Sequence, residues 1–270
     1  MNSLKKTALT ISSSLFFAIF LLNAANAAGP EVTGLAPGVY AFAGEDGAAN
    51  SGFVVTEEAV IVIDTQGPKE LALLLKERIK NITGKPVIFV INTHYHGDHT
   101  FGNQYFKEAK AIIAHENTLK SLFEKDKPHR EMFKKFFGEK SLDEFVLTLP
   151  DITISEKMTL LSGGKTILEI VYAGAAHTKG DIYVYLPEER VVFAGDLLYK
   201  GGLPLLSDGN VQGAINAVDA LLRLDADIYL PGHGGVSTKE DVAAYKGYLT
   251  DLVIEVKRLK DSGKTLEEVK

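Results

Sequence analysis

Pro86-Val87-Ile88-Phe89-Val90-Ile91-Asn92-Thr93-His94-Tyr95-His96-Gly97-Asp98-His99 sets the reading of the whole chain. The first six residues are apolar, short and largely β-branched, so they read as a buried strand, with Asn92-Thr93 as its exit into a loop. Three imidazoles and a carboxylate follow within six residues. Polar heads buried at a strand end cost free energy unless something satisfies them. A divalent metal does so, and imidazole with carboxylate suits zinc and its neighbours.

The flanking segments repeat this arrangement. Val39–Ala43, Ser51–Val55 and Ala59–Asp64 read as successive strands, the third ending in Asp64-Thr65-Gln66. Pro68 to Lys80 carries Leu71, Leu74, Leu75 and Ile79 at helical spacing, with Pro68 suited to a first turn. Strand, helix, strand and polar loop make the rhythm of an α/β protein. Ala111–Ala114 is a short strand. His115 to Lys140 reads as two helices broken near Lys127-Pro128, with His115 and His129 as ordinary surface or helix residues.

From Ile152 strand signals return. Lys157–Leu161 and Lys165–Tyr172 flank the turn Ser162-Gly163-Gly164, and Asp181–Tyr185 and Arg190–Ala194 form a second pair. Val211–Leu224 is an amphipathic helix, Asp227–Leu230 a strand, and Thr238–Asp261 a helix with a capped, acidic start. Each half runs from strands to helices, suggesting two similar layers. Two stretches, Gly163-Gly164-Lys165-Thr166 and Ser262-Gly263-Lys264-Thr265, mimic the end of a phosphate-binding loop. The glycine required upstream is Thr159 in one and Arg258 in the other, so neither holds.

The amino terminus stands apart from this fold. Lys5 and Lys6, the apolar run Leu15–Leu22 and the small residues Ala25-Asn26-Ala27 form a secretory signal peptide over residues 1–27. The apolar run is too short to span a bilayer, which needs roughly 20 residues. Cleavage leaves residues 28–270, 243 residues read as one domain, and removing the two lysines takes the net charge from −6 to −8. So acidic a chain lacks the basic footprint of nucleic-acid binding. It has no cysteine, hence neither disulfide nor thiol nucleophile. A periplasmic or secreted bacterial protein is expected, without stable membrane insertion once the signal is cut.

Three more ligand-type residues lie on glycine-flanked loops: His177 in Gly174-Ala175-Ala176-His177-Thr178-Lys179-Gly180, Asp196 after Phe193-Ala194-Gly195, and His233 in Pro231-Gly232-His233-Gly234. The ordered set His94-x-His96-x-Asp98-His99, His177, Asp196 and His233 resembles the metallo-β-lactamase superfamily over roughly Gly38 to Gly234. The resemblance implies an α/β fold, the four-layer αββα sandwich, with two metals between its sheets. It implies that His94, His96 and His177 hold one metal, that Asp98, His99 and His233 hold the other, and that Asp196 bridges them. Asp64 is expected to buttress these loops. Two Zn2+ are implied, with iron or manganese as alternatives, and a metal-bound hydroxide as nucleophile. Asp98 would also orient that nucleophile or carry a proton to the leaving group. Tyr199 and Lys200 are candidates for a substrate carboxylate or oxyanion, or else solvated loop residues.

The reaction expected from this resemblance is hydrolysis of a small carbonyl substrate: a lactone, thioester, ester or β-lactam. The alternatives are a β-lactamase proper and an iron-dependent sulfur dioxygenase of the same fold. Some exported lactamases carry cysteine where Asp196 stands; aspartate there looks more like the glyoxalase II and lactonase branches. The sequence leaves oligomeric state open.

Overall fold

The computed structural model describes residues 30–44 and 48–269; the expected signal peptide lies outside them. Val32–Ala36 (β1), Val39–Phe42 (β2), Ser51–Val55 (β3) and Val60–Ile63 (β4) open the first sheet. The helix Lys69–Ile82 (α1) then leads to Val87–Ile91 (β5), the one-turn helix Gly97–Thr100 (α2) and Ala111–His115 (β6). After Glu116–Phe137 (α3), Ile152–Ile154 (β7) completes the sheet, ordered β1 to β7 in sequence. Pairing is antiparallel through β4 and parallel from β4 to β7.

The second sheet comprises Lys157–Ser162 (β8), Thr166–Tyr172 (β9), Ile182–Leu186 (β10), Val191–Tyr199 (β11) and Ile228–His233 (β12). Its order is β12-β11-β10-β9-β8, with only β11 and β12 parallel. Val211–Arg223 (α4) makes the crossover between those two strands, as a parallel connection requires. Lys239–Asp261 (α5) and Leu266–Val269 (α6) end the chain's described part.

Strand alternation explains the layering. Ile61 and Ile63 of β4 enter the core between the sheets, while Val60 and Val62 face outward against Leu75 and Ile79 of α1. In β10, Ile182, Val184 and Leu186 point between the sheets. Tyr183 and Tyr185 instead join Ala217, Leu221, Val242 and Leu249 of α4 and α5. Each sheet is therefore apolar on both faces and takes helices outside, which is the αββα sandwich.

One strand boundary differs from the sequence reading in a way that shapes the site. β11 does not stop at Ala194 but runs to Tyr199, with register shifts around Gly195, whose φ is +53°. Asp196 thus sits within a bulged strand rather than after one. A Cβ at Gly195 would lie 2.6 Å from Thr93 Oγ1, so the irregularity also lets the two sheets' loops approach.

α3 corrects a second expectation: it is one helix, with Pro128 inside it. Proline removes one hydrogen bond to the preceding turn. Here Pro128 is exposed, where water can satisfy the freed carbonyl, and Leu122, His129 and Phe133 keep the inner face buried on both sides of it. His115 and His129 are likewise buried, not superficial. His115 caps α3, accepting from Asn117 N–H at 3.1 Å, and stacks on Tyr172.

Where β3 and β11 face each other, the Phe193 ring occupies the space over Gly52, whose Cβ would lie 2.0 Å from it. Phe193→Ala is expected to cost about 3–5 kcal/mol, the usual range for deleting a buried aromatic ring. The urea midpoint of the metal-free protein reads this; a shift worth under about 1 kcal/mol would contradict the packing argument.

Candidate metal centre

His94, His96, Asp98 and His99 leave β5 in one continuous bend, His96 preceding the first residue of α2. His177 comes from the β9–β10 loop, Asp196 from the bulge of β11, and His233 from the last position of β12. Their ligand atoms gather into two groups: His94, His96, His177 and Asp196, and Asp98, His99 and His233, each within 4.8 Å. Asp196 touches both. Its Oδ2 lies 3.2 Å from His177 Nε2, 3.8 Å from His94 Nε2 and 3.5 Å from His233 Nε2, and its Oδ1 lies 3.1 Å from His99 Nε2. Asp98 Oδ2 is 3.3 Å from His233 Nε2.

Gly232 makes room for this carboxylate. A Cβ there would stand 1.8 Å from Asp196 Oδ1, so any larger residue displaces it. The far sides of the rings are fixed by hydrogen bonds. Asp64 accepts from Thr93 N–H at 2.8 Å and from the Thr93 hydroxyl at 2.6 Å, and meets His99 Nδ1 at 2.8 Å. The Thr93 hydroxyl lies 3.1 Å from His94 Nδ1. One buried carboxylate therefore orients two rings, one directly and one through Thr93, so that their Nε2 atoms face the centre. Asp64 holds φ at +56°, a backbone cost accepted at the strand exit.

Several positioning residues escaped the sequence reading. Asp208, in the loop before α4, stands 3.3 Å from His96 Nε2 and accepts from Tyr95 Oη at 2.5 Å and Lys125 Nζ at 2.6 Å. Its bonds to His96, Lys125 and Tyr95 outweigh burial and hold its carboxyl well below the usual range. Asn50 donates both side-chain hydrogens across the sandwich, to Pro231 O and Gly234 O at 2.8 Å each, pinning the turn that carries His233. Asp208 has no local signature. His129 did have one, since Thr118, Leu122, Lys125, His129 and Phe133 fall at helical spacing.

Tyr199 lies inside the centre: its hydroxyl donates to Asp196 Oδ2 and its ring stacks on His233 at 5.3 Å. Lys200 is engaged elsewhere, donating to Val236 O at 3.0 Å and pairing with Asp241 at 2.8 Å at the start of α5.

The donor set fits a cation. His94 Nε2 and His177 Nδ1 are buried without a hydrogen-bond partner among the described residues, and so are His99 Nε2 and Asp196 Oδ1, which lie 3.1 Å apart but not in hydrogen-bond geometry. Such atoms cost about 1–3 kcal/mol each when left unmet. Three of the four belong to the nitrogen and oxygen atoms that converge, and a dication is a partner they can share. Protonation follows the same logic. Burial alone disfavours charge on every ring, and it leaves His94 and His177 lowered, His177 to about 4. At His99 and His233 burial is outweighed by Asp196 and Asp98, which raise His99 well above its usual value and His233 to about 10. Burial likewise opposes ionisation of Asp196, but His233, His99 and His177 hold its carboxyl well below the usual range.

The loop carrying His177 is shaped by Asp181, which accepts from Ala176 N–H, Thr178 N–H and the Thr178 hydroxyl at 3.1, 2.7 and 2.6 Å. Burial pushes its carboxyl up to about 6 from 3.8. A folded pKa above the unfolded one means stability that is complete below about pH 4 and is lost as pH rises through about 6. The full effect is about 3 kcal/mol. The urea midpoint of the metal-free protein, followed between pH 4 and 7, is expected to fall with rising pH more steeply than that of Asp181→Asn. Parallel curves would contradict this account of Asp181.

The family model described as the metallo-beta-lactamase superfamily matches residues 44–233. A metallo-beta-lactamase type 2 of Bacillus sp. (strain 170) is 28% identical over 203 residues, covering 73% of this chain and 71% of the relative. The 2,4-dinitroanisole O-demethylase subunit alpha of Nocardioides sp. (strain JS1661) is 26% identical over 70% of this chain, which spans 53% of that relative's length. Among solved structures, a metallo-beta-lactamase from Pontibacter korlensis superposes with a TM-score of 0.67 at 23% identity, over 82% of this chain and 99% of that one. The superposition speaks for the fold, and the family match covers most of the chain that builds it: this protein belongs to the metallo-beta-lactamase superfamily.

Proposed function

We propose that this metal-dependent hydrolase is an exported, dinuclear zinc enzyme that opens a small carbonyl substrate: a lactone, thioester, ester or β-lactam. The observation that carries the reading is Asp196, one carboxylate within 3.8 Å of imidazoles from both ligand groups. Two dications side by side repel, and a shared carboxylate offsets part of that repulsion. His94, His96, His177 and Asp196 would hold one ion and Asp98, His99 and His233 the other, Asp196 serving both. When bound, such ions bring the pKa of a shared water near neutrality and polarise a carbonyl. Nitrogen and oxygen donors of this kind suit zinc, with iron and manganese as the alternatives. Export rests on the pattern of residues 1–27.

The chain's own residues supply the rest. Asp98, whose carboxyl His99 and His233 keep ionised against burial, is placed to accept a proton beside the centre and pass it to the leaving group. Tyr199 stays a protonated phenol, because burial and then Asp196 push its pKa well up. A neutral O–H at that place, once turned away from Asp196, is suited to donate to a substrate carbonyl oxygen as it gains negative charge. Aspartate at 196 favours lactones and thioesters within the class; the relatives named as metallo-beta-lactamases keep the β-lactam among the substrates to be tried.

Purified protein is expected to contain close to two zinc ions per chain by elemental analysis. Reconstituted with zinc, it should turn over a lactone or thioester in a panel that also holds a β-lactam and a phosphodiester. A single tightly bound iron, with no hydrolysis, overturns the reading in favour of a dioxygenase. Tyr199→Phe is expected to lower kcat about a hundredfold with the zinc content unchanged. A loss of zinc instead would assign the phenol to holding Asp196 rather than to substrate.

A further inference from the structure

One buried histidine beside the centre has no part in the chemistry above. His129 lies midway along α3 and is 8% exposed. Its Nε2 accepts the Gly97 backbone N–H at 2.7 Å. Its ring lies parallel to that of His96, with centroids 5.2 Å apart and planes 6° apart. Tyr95 and Phe101 close on the same ring edge-on, at 5.3 and 5.6 Å. His129 is thus fixed on several sides and in turn touches the metal loop at two points.

Those two points have different consequences. Gly97 separates His96, in one ligand group, from Asp98, in the other. It is also the first residue of α2, whose opening N–H groups have no partner within the helix, and α2 is only four residues long. The bond to His129 gives one of these donors its acceptor and fixes where the loop turns from one group to the next. The parallel ring does something a hydrogen bond cannot. Asp208 meets His96 at Nε2, which constrains one atom of the ring but leaves the plane free to tilt about the line through that atom. A flat surface against the ring face removes that tilt, so the opposite nitrogen, Nδ1, stays directed at His177 Nε2, 2.8 Å away.

We propose that His129 is a positioning residue of the metal centre: its ring sets the plane of His96, and its Nε2 anchors Gly97 and so the spacing between the two ligand groups. This rests on the reading of the two groups as metal ligands.

Two substitutions separate the roles. His129→Phe keeps a flat ring against His96 but has no acceptor for Gly97; His129→Gln keeps an acceptor of similar reach but no ring. Zinc affinity is measured by competition with a chromogenic chelator, alongside the cobalt absorption spectrum and the thermal midpoint of the metal-free protein. Asp98→Ala removes a ligand from one group, so the remaining equivalent reports the group containing His96. In that background His129→Gln is expected to weaken zinc about tenfold and alter the cobalt spectrum, the scale found when partners of metal ligands are lost. With the full ligand set, His129→Phe is expected to weaken the second zinc equivalent by a similar factor. Unchanged affinities and spectra in both variants, whatever happens to the thermal midpoint, would overturn the proposal and leave His129 a packing residue. Wild-type protein that takes up neither zinc nor cobalt would instead bring down the metal reading, and this proposal with it.

Discussion

Four imidazole nitrogens crowd one buried carboxylate, and the arrangement of the chain follows from making that possible. Asp196 is 5% exposed, and His94, His99, His177 and His233 reach it from three separate places in the sequence. A carboxylate taken out of water costs several kcal/mol unless it is paired. The rings cannot all offset this with protons, because burial and mutual repulsion keep His94 and His177 neutral. The cluster is thus a poor solution for the protein alone and a good one for a bound dication. Stability is given up at this spot and recovered in the three apolar layers that surround it.

The sandwich supplies the rigidity that such a cluster needs. Strand ends from both sheets face one region, and the strands behind them are close-packed on both faces, so a shift of any one strand disturbs two apolar layers at once. Hydrogen bonds then cross between sheets at the rim. Asn50, from the first sheet's side, ties down the turn of β12, and Thr93 fits against the bulge at Gly195. The positions of His233 and Asp196 are in this way referred to the same frame as His94 and His99.

What could be read from residues alone was the part carried by local pattern. Ile61 and Ile63 alternating with Val60 and Val62 announce a two-faced strand, and Leu75 and Ile79 announce the helix that covers it. The seven ligand-type residues were legible because each ends a strand or sits among glycines, and Asp64 because it ends one too. The bulge at Gly195 was not, since only pairing with β12 reveals it. Pro128 misled because its cost depends on whether water reaches the freed carbonyl, which is a tertiary fact. Asp208 and Asn50 act across 112 and 181 residues of sequence, and no short window contains both partners. Lys200 adjoins Tyr199 in sequence, yet its charge is taken up by Asp241 on another element.

α3 holds three of the loops at the centre from one side. Asn117 and Thr118 donate to Lys179 O and Gly180 O beside His177, Lys125 grips Asp208, and His129 takes Gly97 N–H. These anchor points lie along less than four turns of a single helix, so they cannot be released one at a time without bending it. The loops that carry His177, Asp208 and Gly97 therefore share one rigid reference, and a tilt of α3 would displace all three together.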